Sequence, residues 1–247
     1  IHLIRDEYRE AIDLLAPAAQ ALLTRGDRGV ASSALCWLAT ATAQIGRLDE
    51  AQRLGERAVQ AAAPLRELHR TGLARAALAE IQVLRGHTTA AAATLAPLDA
   101  VADSSTAPLP GGLRPPAPPT QTAFIPGLER AHAHIALADG HPDEALDWLQ
   151  REQAWLPDGE LVPPSQLLLA RALRQAGDPA AAEVLDGLLA TTADQPALHA
   201  AALTERAHLT NNTGLELHHQ ALRIRSAHGL LLGCIDLDGF KTINDQL

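Results

Sequence analysis

From Ile1 to about His208, apolar residues recur at three- and four-residue spacing, with Gly, Asp and Pro at the joints. That period places one apolar stripe on each helix, so the pattern predicts an all-α region of successive short helices. One more helix is expected over residues 197–208. The stretch from Leu209 to Glu216, with Asn-Asn and Thr-Gly inside it, interrupts the pattern and marks a domain boundary. A helix from Leu215 to about His228 follows, with Gly229 at the position of a helix C-terminal glycine. At Leu230 the pattern changes again. An apolar run without helical spacing predicts a buried strand that feeds directly into Asp236 and Asp238.

Inside the helical region the sequence repeats itself. Four segments align on Gly46, Gly86, Gly140 and Gly177. Seven residues before each glycine stands an alanine (Ala39, Ala79, Ala133, Ala170), and five residues after it another (Ala51, Ala91, Ala145, Ala182). A turn at the glycine puts each pair on facing sides of a helical hairpin, where only a small side chain lets two backbones approach closely. This spacing resembles the tetratricopeptide repeat over roughly Ala31 to Leu189. It departs from that family in lacking most of its aromatic positions and its terminal proline, and in the uneven glycine spacing. The resemblance implies an α-solenoid of stacked hairpins with a concave side left for a protein or peptide partner. An earlier partial unit is expected over Asp6 to Arg25, with Ala11 in the small position of its second helix. The longest glycine interval has a visible cause. Residues 104–120 carry six prolines and two glycines, which remove helix-capable backbone and predict an extended insertion between repeats. A shorter break, Pro157 to Pro164, separates the third hairpin from the fourth.

Charge and composition narrow the function. A net charge of −9 with no clustered Lys or Arg argues against a nucleic-acid surface. Lys241 is the single lysine against nineteen arginines. No apolar run approaches the ~20 residues of a membrane span, and Cys36 and Cys234 sit apart in apolar runs as buried thiols do, so a reducing, cytoplasmic setting is expected. The histidines offer no metal pair: His132 and His134, and His218 and His219, are spaced so that they point in different directions on a helix. Starting at Ile1 without a methionine and stopping at Leu247 directly after an Asn-Asp with no closing element, the chain reads as a piece of a longer protein.

The densest chemical motif is Ile235-Asp-Leu-Asp-Gly-Phe-Lys-Thr-Ile-Asn-Asp245. As an EF-hand loop it fails, because Gly239 comes too early and no terminal glutamate follows. As a haloacid dehalogenase-like nucleophile motif it has Phe240 where a threonine belongs. The motif resembles the first signature of the GGDEF family, the diguanylate cyclases, with Asp236, Leu237, Asp238, Phe240, Lys241, Ile243, Asn244 and Asp245 in register. The resemblance implies that Asp236 and the Leu237 carbonyl ligate Mg²⁺, that Gly239, Phe240 and Lys241 lie against a GTP triphosphate, and that Asn244 bonds the guanine. Hard oxygen ligands suit Mg²⁺, which bridges phosphate oxygens and activates the attacking hydroxyl. The second catalytic loop of that family would lie beyond Leu247. These residues alone therefore hold no complete catalytic set and are expected to be inactive.

The combined expectation is a mostly α chain. Residues 1–208 form a tetratricopeptide-like sensor or docking domain, and residues 209–247 the first helix and strand of an α+β GGDEF domain. In the intact parent, two such cyclase domains meet as a homodimer, each holding one GTP, and make cyclic di-GMP. The alternative is a non-enzymatic tetratricopeptide scaffold for protein partners, with a decayed cyclase remnant at its end.

Overall fold

The computed structural model describes residues 7–65, 67–106, 125, 127–210 and 214–230. Among them it contains eleven α-helices: α1 (Tyr8–Thr24), α2 (Arg28–Gln44), α3 (Leu48–Ala62), α4 (Leu68–Leu84), α5 (Thr88–Thr106), α6 (Leu128–Ala138), α7 (Pro142–Trp155), α8 (Pro163–Gln175), α9 (Ala180–Thr191), α10 (Pro196–His208) and α11 (Gly214–His228). The described residues hold no strand. No helix among them is long and apolar enough to cross a membrane.

The four expected hairpins are α2–α3, α4–α5, α6–α7 and α8–α9, each turning at its glycine. Gly46, Gly86, Gly140 and Gly177 all have φ between 75° and 86°, a left-handed conformation that a side chain strains. The turn itself is one motif repeated. At Gly140 the glycine N–H donates to Leu137 O (3.2 Å) and the next N–H to Ala136 O (2.8 Å), the paired bonds that satisfy a helix's last carbonyls. After the turn, the Ala145 N–H donates to His141 O and opens the second helix. Ala133 and Ala145 are both fully buried and share one apolar cluster with Leu149 and Leu168. Ala39 with Ala51, and Ala79 with Ala91, repeat this arrangement in their own clusters.

Two details depart from the expected register. At Gly177 the fully buried residue is Ala181, not Ala182, which is half-buried. The first turn of α9 is tightened there: Ala181 donates to Asp178 O and Ala182 to Pro179 O, three residues back rather than four, so the inward position comes one residue early. The second departure is an additional turn. The Gly26 N–H (φ 79°) donates to Leu23 O and the Asp27 N–H to Leu22 O, the same pair of bonds. Ala19 and Ala31, at the same offsets from it, are buried. The partial unit expected before Arg25 is therefore one full helix, α1, packed on α2, so α2 is entered and left through glycine turns of one kind.

Curvature follows from which helices touch. The even helices pack in succession, α2 on α4, α4 on α6, α6 on α8 and α8 on α10, while α3, α5, α7 and α9 each pack on their even neighbours and not comparably on one another. A layer whose members meet side by side spans the shorter arc, so the even helices line the concave side. Beyond α10, α11 packs back through Leu217, Ala221 and Ile224 onto Ala200 and Leu203. It ends at Gly229 as expected, with φ 61°. Leu230 then packs with Tyr8, Ala11 and Ala41, with Ala197 beside them, so the segment that follows α11 meets α1 and α2.

The proline-rich insertion starts later than its expected position. Residues 104–106 belong to α5, which runs to Thr106, because the first proline is Pro108 and the preceding residues keep their N–H groups for the helix. The rest of that segment lies outside the described residues, as does the expected strand beyond Leu230.

Candidate docking surface

Asp236, Leu237, Gly239, Phe240, Lys241 and Asn244 lie outside the described residues, and so does Cys234. The chemistry that the structure does place together is on the concave layer. Each even helix buries its alanine against the hairpin partner, and the residue directly after that alanine is turned about 100° away. Those residues are Thr40, Glu80, His134 and Arg171. All four are partly exposed.

On α4 and α6 the Glu80 carboxylate accepts from Arg130 Nε at 2.8 Å. On α8 and α10 one carboxylate serves two cations: Glu205 Oε1 accepts from Arg171 Nε at 2.7 Å, and Oε2 from Arg174 Nε at 2.9 Å. Burial alone would raise Glu205, but Arg171 and Arg174 outweigh it and hold the carboxyl below its usual range. Arg130 is held still more firmly protonated, first by the Glu80 charge. Arg225 of α11 lies beside Arg171, and burial together with that like charge pushes it down. Between Arg130, Arg171 and Glu80 sits His134, lowered to about 4, mainly by burial. It is a neutral imidazole at physiological pH. The result is a continuous polar line from α4 to α11.

Beneath the line lie two buried carboxyls, Glu129 on α6 and Glu152 on α7, each 7% exposed. Glu152 Oε1 accepts from Ser165 Oγ at 2.9 Å. The Oε2 of each has no hydrogen-bond partner among the described residues. Burial raises both above the usual carboxylate range, since an ionised carboxylate there gives up its water without full replacement. On the outer side His132, two residues before His134, bonds Asp99 Oδ1 at 2.8 Å and stacks on Trp148 at 4.1 Å. The two imidazoles face different neighbours, as their spacing implies. Among the described residues no group of three His, Cys, Asp or Glu is arranged to hold a metal ion. Cys36 is buried and unpaired, its thiol pushed up to about 12 by burial, which leaves it an inert packing group.

These four neighbours of the alanines are not among the site residues expected from the sequence. The signal was present: a polar residue follows each small one in all four units. Its significance depends on knowing which layer is concave.

Residues 127–151 and 163–185 match the tetratricopeptide repeat family model. These are α6 with most of α7, and α8 with the first half of α9. No curated protein matches the chain, and no solved structure matches it. The region from α6 to α9 is therefore a tetratricopeptide-like repeat region, and α2–α3 and α4–α5 are hairpins that turn at glycine in the same way.

Proposed function

We propose that the helical array is a protein-docking scaffold, and that its partner binds the concave layer formed by α2, α4, α6, α8 and α10. The observation that carries this reading is the partly exposed polar line on that layer, set on hairpins of tetratricopeptide type. A largely buried ion pair is weak evidence of a purely stabilising role, because desolvation offsets much of the attraction between its charges. The reading is tested by panning a random displayed dodecapeptide library against the chain and competing the bound peptides with substitutions on the concave and convex faces. Peptides displaced only by concave substitutions support it. Peptides displaced only by convex ones, or none retained, refute it.

A second, finer reading rests on the motif from Asp236 to Asp245. In it, the docking array belongs to a signalling protein whose following domain is a diguanylate cyclase, and partner binding governs the meeting of two GTP-loaded halves. Asp236 and the Leu237 carbonyl would hold Mg²⁺, and Gly239, Phe240, Lys241 and Asn244 the nucleotide. What supports it is the resemblance of eight residues in register, all in a segment without described geometry. The test uses the gene that encodes this chain. The reading expects a Gly-Gly-Asp/Glu-Glu-Phe stretch downstream of Leu247 and loss of cyclic di-GMP formation on Asp236→Ala in the encoded protein. A different downstream sequence removes this reading and leaves the scaffold intact.

A further inference from the structure

Stacked repeats touch only their neighbours along the chain, and a contact at Leu230 breaks that rule. Leu230, 8% exposed, shares an apolar cluster with Tyr8 and Ala11 of α1 and Ala41 of α2, and Ala197 at the start of α10 packs against the same cluster. Ala41 and Ala197 belong to the first and last helices of the concave layer. Leu230 therefore joins that layer end to end. The rest of α11 carries it there. Gly214 lies so close to α10 that a Cβ would stand 2.8 Å from Ala207 O, and Ala221 is buried against Ala200 and Leu203, so α11 runs back along α10 toward its start. At Gly229 the guanidinium of Arg9, on α1, crosses the backbone, with Nη2 2.7 Å from where a Cβ would stand.

The joint is slight. Helix α1 buries Tyr8, Ala11 and Ala19, and the first two belong to the Leu230 cluster; α11 buries Gly214 and Ala221. Ile12 and Ile45 pack against that cluster and also line an open cleft of about 270 Å³ with Arg9, Asp13 and Arg47. One side of the joint is thus unfilled. The α2–α3 seam, by contrast, lies within a continuous apolar cluster that extends from Ala19 to Ile81. A folded chain opens first where it buries least apolar surface, which in this array is the contact between its two ends.

We infer that Leu230 is a latch: seated on α1 and α2 it holds the concave layer closed end to end, and a partner docks by displacing it. This inference rests on the docking reading above and states how that site is governed. A single buried leucine suits the task. Its burial favours the closed form over the open one by roughly tenfold to a hundredfold, which contacts spread over several helices can overcome. Only the open form is then competent to bind, so the latch lowers the apparent affinity for a partner by the same factor.

The test measures hydrogen exchange by mass spectrometry in the whole chain, for the wild type, Leu230→Asp and Leu215→Asp. Leu215 is the control, on the same helix and 50% exposed. Leu230→Asp is expected to speed exchange in α1 and around Ala41 by roughly tenfold or more, while α6 to α9 keep their protection and so report an intact fold. Leu215→Asp is expected to change neither. A peptide selected from the displayed library is expected to bind Leu230→Asp roughly tenfold or more tighter than the wild type, and Leu230→Ala by a smaller factor. Unchanged exchange in α1 on Leu230→Asp overturns the latch, as do equal effects of the two Asp substitutions, loss of protection throughout α6 to α9 on Leu230→Asp, or selected peptides that bind the wild type as tightly as Leu230→Asp; each of these leaves the docking reading standing. If the library yields no peptide, the docking reading falls and the latch's role with it.

Discussion

The two halves of the concave layer are built on one frame and carry different chemistry. On α2 the stripe left uncovered is Ser33, Trp37, Thr40 and Gln44, with Trp37 47% exposed and Thr40 bonded back to Cys36 O at 3.1 Å. On α6, α8 and α10 the corresponding face holds Arg130, His134, Arg171, Arg174 and Glu205. The hairpin seams do not differ in this way: Ala39 with Ala51 is as closed as Ala133 with Ala145. The seam thus fixes geometry, and the next residue on the helix is left free to set chemistry. This division allows one array to be neutral at one end and cationic at the other.

The largest effect is expected where the cationic half is braced. Glu205→Ala leaves two guanidiniums without their shared carboxylate and should cost about 3 kcal/mol in chemical denaturation, with the partial exposure of both arginines keeping the loss at the low end for a broken buried pair. A comparable change on the neutral half, Thr40→Val, removes one bond to a helix carbonyl and should move stability by less than about 0.5 kcal/mol. Equal losses at the two sites would erase the distinction between them.

Acid should act on the same half. His134 is held neutral, with its folded value depressed to about 4. Its contribution is therefore complete above the unfolded value near 6.5 and is lost as pH falls toward 4, up to about 3 kcal/mol. Glu129 and Glu152 run the other way. Their folded values are raised, so their contribution is present at low pH and lost as pH rises through those values. His134→Gln should therefore flatten the acid limb of a stability-versus-pH curve, whereas Glu129→Gln should raise stability at neutral pH by about 1 kcal/mol. A wild-type curve unchanged by His134→Gln would remove the neutral imidazole from the account.

The seam gives a smaller and more local test. Ala133→Leu should overpack its hairpin by about 1–3 kcal/mol. In the fourth unit Ala181→Leu should do the same while Ala182→Leu is tolerated, because the tightened first turn of α9 moves the inward position by one residue. If Ala182→Leu were the costlier of the two, the register drawn from the hydrogen bonds would be wrong.

Much of this frame was legible in the sequence, for physical reasons that are easy to state. A left-handed turn demands glycine and a close helix crossing demands alanine, so the spacing of the two marks the four hairpins from α2 to α9. The same rule, applied to Ala19, Gly26 and Ala31, would have found the turn before α2. Because α2 serves both turns, a count of separate hairpins assigns it only to the second. The Ala181 register was not legible, since the alanines from Ala180 to Ala182 all satisfy the small-residue rule and only the backbone bonds after Pro179 decide among them. Nor was the cluster of arginines on the concave layer. Arg130, Arg171, Arg174 and Arg225 are scattered in sequence, and they converge only because α6, α8, α10 and α11 stack. The motif at Asp236 posed the reverse case: its residues are dense in sequence, yet they lie where the structure describes no geometry to test them.

The difference between the halves is tested most directly by measuring the affinity of a peptide selected from the displayed library for two single variants, Arg171→Gln and Trp37→Ala, each verified as folded. If the concave layer is cationic and receptive only beyond α4, Arg171→Gln weakens binding by roughly tenfold or more and Trp37→Ala changes it by less than about twofold. Loss of binding on Trp37→Ala with Arg171→Gln unaffected would contradict the account.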